Sequence, residues 1–324
     1  MGFPIITPSF LKELTESMKP TAADEFCDVN VTSAAVEYVP RLCYENVVKK
    51  LIDEKDVLAY NMINLPDNES EHFIEQSKQI LDRYPQARFY WQIRMLFMGV
   101  LQNRSVNFEK RFLLLNYALK TVQGMIDNGQ PNLIPKFVED YTSEDFDYEK
   151  VIGYFKEIRP NPAYSLADGV SLLKSLNKSS AAYKDVLNTI YKNLGVSGPE
   201  TLKMADMKKY IGMRGEYSKT LSGEKARYIE NVIISYVWSY SIPFSNPAFN
   251  FWEHFVFLCS LYNALKVMLV CYAPDFADES FVKAVSAFDA ALRDSDSDLM
   301  RKVISAVKNA GQSNNGDLAI LTLS

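Results

Sequence analysis

The chain has 324 residues, a formal charge of −5, and 48% apolar, 23% charged and 13% aromatic residues. Those proportions belong to a folded protein with one large core or two smaller ones, and they exclude a disordered chain. The acidic balance excludes a general polyanion binder, because affinity for nucleic acid rests on many Lys and Arg contacts to phosphate.

In chain order the apolar residues recur three or four apart, and no period-two run stands out before Pro85. Thr7-Pro8 pairs a cap with the proline favoured at the first helical position and predicts a short helix through Met18, stopped by Pro20. Residues 41–54 predict a second helix, with Tyr44, Val48, Leu51 and Ile52 on one side. Pro66-Asp67-Asn68-Glu69-Ser70 is a turn and cap cluster opening a helix that turns Phe73, Ser77, Ile80 and Leu81 inward. Phe89, Ile93, Leu96, Phe97 and Val100 then form a stripe, and Asn107 caps a helix bearing Phe108, Phe112, Leu115, Leu119, Val122 and Ile126. The short separation predicts an antiparallel hairpin, closed by Gly129 and Pro131.

Thr142-Ser143-Glu144-Asp145 reads as an acidic capping box for a helix with Val151, Ile152, Phe155 and Ile158 inward. Residues 164–177 and 181–194 predict two more, with Gly195 as a C-cap. Ser197-Gly198-Pro199 is a linker candidate. The segment after it is the most basic in the chain, with Lys203, Lys208, Lys209, Arg214, Lys219, Lys225 and Arg227 interleaved by Asp206, Glu216 and Glu224. A solvated face beside a mobile loop is the plain reading; the sharper one makes Lys208, Lys209, Arg214, Lys219, Lys225 and Arg227 a patch for an anionic ligand or a protein partner.

Ser222 reads as an N-cap with Glu224 in the first turn, and Ala226, Ile229, Ile233, Val237 and Tyr240 line one helical face until Pro243. The next helix, from about Ala248, is apolar on every side: between Phe255 and Ala273 only Lys266 is charged. It is long enough to span a bilayer, but a central lysine would cost about 2.5–3.5 kcal/mol there, so it is expected to be a buried core helix. Asp278 caps a helix with Phe281, Val285, Phe288 and Leu292, a last helix carries Leu299, Val303 and Val307 to Gly311, and the tail from Gly316 is apolar enough to dock. The expected fold is all-α: an irregular multi-helix bundle of stacked antiparallel helical hairpins. Its divisions fall at 1–84, 85–196 and 197–324, compatible with one continuous domain. Lys12, Glu13, Glu16 and Lys19 interrupt any apolar leader, so the expected compartment is the cytoplasm.

Chemistry-bearing motifs are near misses. Cys27, Cys43, Cys259 and Cys271 form no C-x-x-C pair, and His72 and His254 are the only histidines, a poor supply for zinc or an iron–sulfur cluster. A Cys–His nucleophile is a weak reading. Asp294-Ser295-Asp296-Ser297-Asp298 begins like a calcium loop, but Leu299 and Ser305 stand where the glycine and the bidentate glutamate belong. Gly212-Met213-Arg214-Gly215 lacks the Walker spacing and reads as a turn. Arg94, Arg104 and Arg111 interrupt apolar helices and need carboxylate or carbonyl partners, which Glu230 and Asn231 could supply. These five form either a buried polar network or a ligand site.

RMLFMGVLQNRSVNFEKRFLLLNYALKTV, residues 94–122, resembles the segment of flagellin lysine N-methylases in which an arginine-bearing helix precedes a leucine-rich one. YIENVIISYVWSYSIPF, residues 228–244, is similar to that family's Leu-Glu-Asn helix with its aromatic, Phe-Pro ending, and the later helices and LAILTLS follow in order, so the likeness covers about residues 85–324. It implies methyl transfer from S-adenosylmethionine to lysines of flagellin, in a protein with an iron–sulfur cluster on an N-terminal cysteine set. The departures are in the same comparison. Residues 1–84 hold only Cys27 and Cys43, and the late helix reads Ala290-Ala291-Leu292-Arg293-Asp294 without the family's histidine. No catalytic residue carries over, and no iron–sulfur cluster is expected. Two functions follow: a methylase-like protein, degenerate for want of cluster cysteines, or a non-catalytic helical protein that binds or assembles a protein partner.

Overall fold

The structure is a computed structural model that describes residues 3–10, 26–64, 67–157, 161–176, 179–198, 201, 206–295 and 297–309. Its N-terminal part corrects the all-α expectation. Pro4–Pro8 (β1), Cys27–Val31 (β2), Val36–Pro40 (β3) and Tyr60–Asn64 (β4) form a four-stranded sheet of order β2-β3-β1-β4. β1 runs parallel to β3, Ile5 opposite Val36, and antiparallel to β4; β2 and β3 form a hairpin. Thr7-Pro8 ends a strand instead of opening a helix, and residues 11–18 lie outside the described ones. The β-branched Ile5, Ile6, Thr7, Val29, Val31, Val36 and Val39 favour extended backbone, and the prolines sit at strand ends, where a missing N–H does least harm.

Helix Glu45–Asp53 (α1) follows β3, and Asp67–Arg83 (α2) follows β4. Tyr90–Leu101 (α3) and Phe108–Asp127 (α4) make the expected hairpin, with the Asn107 side chain accepting from the Glu109 N–H at 3.1 Å. Ile134–Tyr141 (α5) ends at Thr142, so Thr142 closes a helix; Tyr148–Gly153 (α6) opens at Asp147, whose side chain accepts from the Lys150 N–H. Pro162–Ser175 (α7) and Ala181–Asn193 (α8) are capped by Asn161 and Ser180. Gly195 takes φ +71° after α8, the left-handed value glycine adopts without strain.

Met207–Leu221 (α9) is a second correction. The basic segment is a helix where described, capped by Asp206, with Gly212 and Gly215 inside it; Lys203 lies outside the described residues. Ser222 is therefore its C-cap, and Ala226–Ser239 (α10) starts after Lys225. Phe251–Tyr272 (α11) opens on a capping box of Asn250 and Glu253. Asp278–Arg293 (α12) has Ala277 at its cap with Asp278 as the first residue, and Leu299–Asn309 (α13) follows; Asp296 and the tail from 310 lie outside the described residues.

α11 is the axis of the bundle. It packs against α4, α7, α8, α9, α12 and α13, and 94% of its most apolar window is buried, although its mean hydropathy of 1.7 would suit a membrane span. Gly169 lets α7 approach: a Cβ there would lie 2.6 Å from Val267 Cγ2 and 3.2 Å from the Asn263 carbonyl. Lys266, inside α11, lies 3.4 Å from Glu109; burial lowers its affinity for the proton and Glu109 opposes that. The sheet lies against α10, not α11, and one apolar core runs without a break from Ile6 to Leu299.

Candidate functional site

Of the five residues expected to form a network, the structure brings three together. Arg104 follows α3, Arg111 lies in the second turn of α4, and Glu230 lies in the second turn of α10. Arg111 Nη1 is 2.6 Å from Glu230 Oε2, and Arg104 donates from Nε to Oε1 at 3.1 Å with its Nη2 3.0 Å from the same oxygen. Charge-assisted bonds of this kind are what allow a carboxylate 2% exposed to persist in a helix face. Arg111 also donates to the Leu101 carbonyl at the end of α3 and to the Val106 carbonyl at 2.9 Å, so it closes the hairpin loop from within. Burial lowers the Arg111 pKa, and Glu230 works in the other direction. Arg104 reaches the Lys55 and Asp56 carbonyls, at 3.3 and 3.1 Å, between α1 and β4.

These residues wall a cleft of about 770 Å³. Phe108 and Leu221 supply apolar wall; Lys55, Arg227 and Glu224 stand with Arg104, Arg111 and Glu230 as its charged lining. Helices α4 and α10 both begin at it, adding the positive ends of two helix dipoles. Arg227 donates from Nη1 to the Glu224 carbonyl at 3.2 Å, while its buried Nε has no hydrogen-bond partner. The Glu224 carboxylate makes no hydrogen bond among the described residues. A cleft of this size with both charge signs and an aromatic wall suits a small amphoteric molecule.

Arg94 and Asn231 go elsewhere. Arg94 donates to Glu37 on β3 at 2.9 and 3.1 Å and to the Val237 and Ile242 carbonyls at 2.9 and 2.8 Å. Tyr90 OH donates to the same carboxylate. Burial raises the Glu37 pKa against the Arg94 charge. Asn231 Nδ2 donates to the Leu51 carbonyl on α1 at 3.0 Å. Glu37 was missed in the sequence because its segment was not read as a strand; a glutamate among Val36, Tyr38 and Val39 was the available signal.

A third charged cluster also ties the sheet to the bundle. Asp289, fully buried on α12, holds Arg293 at 2.7 Å, and Arg293 bonds Asp28 of β2 and the Pro40 carbonyl. Burial pushes the Asp289 carboxyl up despite Arg293, and burial also raises the nearby Cys43 thiol.

The basic residues of α9 and α10 do not share one face. Lys208, Lys209 and Lys219 are exposed, Lys219 beside Glu216 at 3.7 Å; Arg214 is half-buried. Lys225 donates to the Phe276 carbonyl at 2.7 Å and meets Asp278, and Arg227 enters the cleft. His254 is buried, donates from Nδ1 to the Asn250 carbonyl at 2.9 Å and accepts at Nε2 from the Asn246 N–H, so it serves the α11 entry.

The cysteine set does not fit an iron–sulfur cluster. None of the four cysteines forms a disulfide, Cys259 and Cys271 lie on one helix about 18 Å apart at 1.5 Å per residue, and among the described residues no three His, Cys, Asp or Glu could hold a metal ion.

Together these features define a largely helical domain with an open charged cleft and a small mixed sheet packed on one side. The family model described as FliB lysine N-methylase C-terminal domain matches residues 94–321, most of the chain, and the chain belongs to that family. The match contains Arg104, Arg111 and Glu230, whereas the four strands precede it. No curated protein and no solved structure matches the chain.

Proposed function

We propose that this chain binds S-adenosylmethionine in the Arg104–Glu230–Arg111 cleft and promotes methyl transfer to lysines of a protein, with flagellin the acceptor that the family suggests. The observation that carries the reading is the cleft itself: a charged, partly aromatic recess formed by the segments that match the family. Arg104 and Arg227 suit the ligand's carboxylate, Phe108 its base, and Glu230 its positive groups. When bound, the ligand supplies an electrophilic methyl group. Glu224 on the cleft lining is placed to take the proton that an incoming lysine ammonium must lose before its nitrogen can act as a nucleophile. No step runs through an iron–sulfur cluster. The reading places the protein in the cytoplasm, where flagellin is made and the methyl donor is held.

The test is calorimetry with S-adenosylmethionine, followed by label transfer to flagellin from the methyl-labelled compound. Binding that weakens about tenfold in Glu230→Gln, the scale of one charge-assisted bond, supports the cleft. No heat at high protein concentration overturns it. Binding of flagellin with no transfer of label would leave the non-catalytic, protein-binding alternative.

A further inference from the structure

One edge of the sheet borders a cavity of about 380 Å³ that shares no lining residue with the cleft. β2 is the edge strand there, paired on one side only, with β3. Residues 29–33 line the cavity without a gap. Successive side chains of a strand point to opposite faces, so an unbroken run places the cavity along the strand's edge, not over one face. The facing walls are the end of α2, with Ile80 and Arg83, then Tyr84, and the segment between α10 and α11, with Phe244.

The free hydrogen-bonding groups of β2 face outward along this edge. At the ends of the β2–β3 hairpin the Thr32 N–H donates to the Ala35 carbonyl at 2.9 Å, and the Arg41 N–H donates to the Phe26 carbonyl at 2.8 Å. Bonding to the partner alternates along an antiparallel strand, so the even-numbered residues of β2 face β3, and Val29 and Val31 each turn an N–H and a C=O away from it. None of these groups is bonded among the described residues. Asn30, between the two valines, donates from Nδ2 to Ser241 Oγ at 3.1 Å, which holds the strand to the bundle. An edge with unpaired amides and carbonyls is a template for a further strand.

Charge says what kind of strand fits. Arg83, the exposed last residue of α2, makes no ion pair or hydrogen bond among the described residues, unlike Arg94, Arg104, Arg111 and Arg293. No Asp or Glu stands beside it on the lining. Ile80 and Phe244 are half-buried, and the Tyr84 and Phe244 rings lie 6.4 Å apart, so the wall beside this cation is apolar. A second copy pairing through its own β2 would bring only Asp28, whose carboxylate Arg41 and Arg293 already hold.

We propose that this cavity receives an extended segment of a protein partner, added to β2 as a further strand, with an apolar side chain against Ile80, Tyr84 and Phe244 and an acidic side chain on Arg83. Main-chain bonds to Val29 and Val31 supply affinity for any extended chain, and the apolar wall and the arginine choose the sequence. The proposal stands independently of the donor site in the cleft.

The experiment selects heptapeptides that bind the full chain from a random phage-displayed library and measures them as synthetic peptides by fluorescence anisotropy. Selected peptides should share an apolar residue and an aspartate or glutamate. Arg83→Glu should weaken them about tenfold, and a fresh selection on that variant should replace the acid by lysine or arginine. Val29→Pro removes an outward N–H and leaves the bonds to β3 intact, so the fold stands and binding should fall about tenfold, whereas Val29→Thr should bind as wild type does. Methylating alternate peptide nitrogens should abolish binding in one phase and spare it in the other. A selection that yields no peptide overturns the proposal, as do peptides indifferent to both Arg83→Glu and Val29→Pro. Peptides displaced by S-adenosylmethionine overturn it too, since they would occupy the cleft. So does a dimer in sedimentation that Val29→Pro dissociates, because a second copy would then hold the edge.

Discussion

Arg94 and Glu37 grip each other across the boundary between the helical bundle and the sheet, Nη2 to both carboxylate oxygens at 2.9 and 3.1 Å, with side chains 3% and 0% exposed. Arg94 is the first residue of the family match, and Glu37 precedes it by 57 positions. Together with the Arg293–Asp28 contact, the pair ties the sheet to α3 and α12, while Asn231–Leu51 ties α10 to α1. The loop carrying Lys55 is thereby held where it completes the cleft.

Glu37→Ala should cost about 3–5 kcal/mol, because it strands a buried guanidinium. Combining Glu37→Leu with Arg94→Met should recover only part of that loss, since the Val237 and Ile242 carbonyls still lose their donor. Urea denaturation at neutral pH measures both. A Glu37→Ala variant as stable as wild type would mean that the pair does not fix the sheet.

The boundary is also where the sequence is least legible. α3, α4 and α11 could be read in advance because three-to-four spacing is a local signal, and Asn107 announces its own helix. Strands of five residues carry at most two or three alternations, and the meaning of β1 lies in β3 and β4, remote in the chain. The arginines were recognisable as needing partners, and Glu230 was found, since an acid inside an apolar helix poses the same question from the other side. Glu37 could be assigned to Arg94 only once β3 was known.

Within the cleft, Arg111 and Arg104 should separate by role. Arg111→Ala leaves two carbonyls and part of a buried carboxylate unpaired, and is expected to cost about 3–5 kcal/mol in urea denaturation. Arg104 is 39% exposed and Arg111 remains on Glu230, so Arg104→Ala should cost about 1 kcal/mol or less. Its effect should fall on binding of S-adenosylmethionine, weakened about tenfold by calorimetry. Equal stability losses in the two variants would contradict the assignment.

Glycine positions give opposite signs. Gly169→Ala puts a methyl group 2.6 Å from Val267 Cγ2, so α7 must retreat from α11, at about 1–3 kcal/mol. Gly212→Ala and Gly215→Ala, inside α9 with nothing within 4 Å of the new methyl, should each stabilise by about 0.4–1 kcal/mol. Thermal unfolding of the three variants checks the contrast. A rise in midpoint for Gly169→Ala would show that α7 and α11 are looser than their contact implies.

His254 gives the protein a defined acid sensitivity. Burial, against the Asn250 carbonyl bond and the Glu253 charge, holds its pKa down to about 4, so the folded state keeps the ring neutral while an unfolded chain protonates it near the ordinary value of 6.5. The stabilisation is full above pH 6.5 and is lost as the pH falls toward 4, about 3 kcal/mol at 1.36 kcal/mol per unit. Glu37, Asp168 and Asp289 act with the other sign, because burial raises their pKa values and acid neutralises a charge the fold disfavours. The histidine contribution therefore has to be isolated by difference. Urea stability of wild type should fall between pH 7 and pH 4.5 by roughly 2 kcal/mol more than that of His254→Gln, which can keep a hydrogen bond at the α11 entry without titrating. Parallel pH profiles for the two proteins would show that His254 is not held neutral.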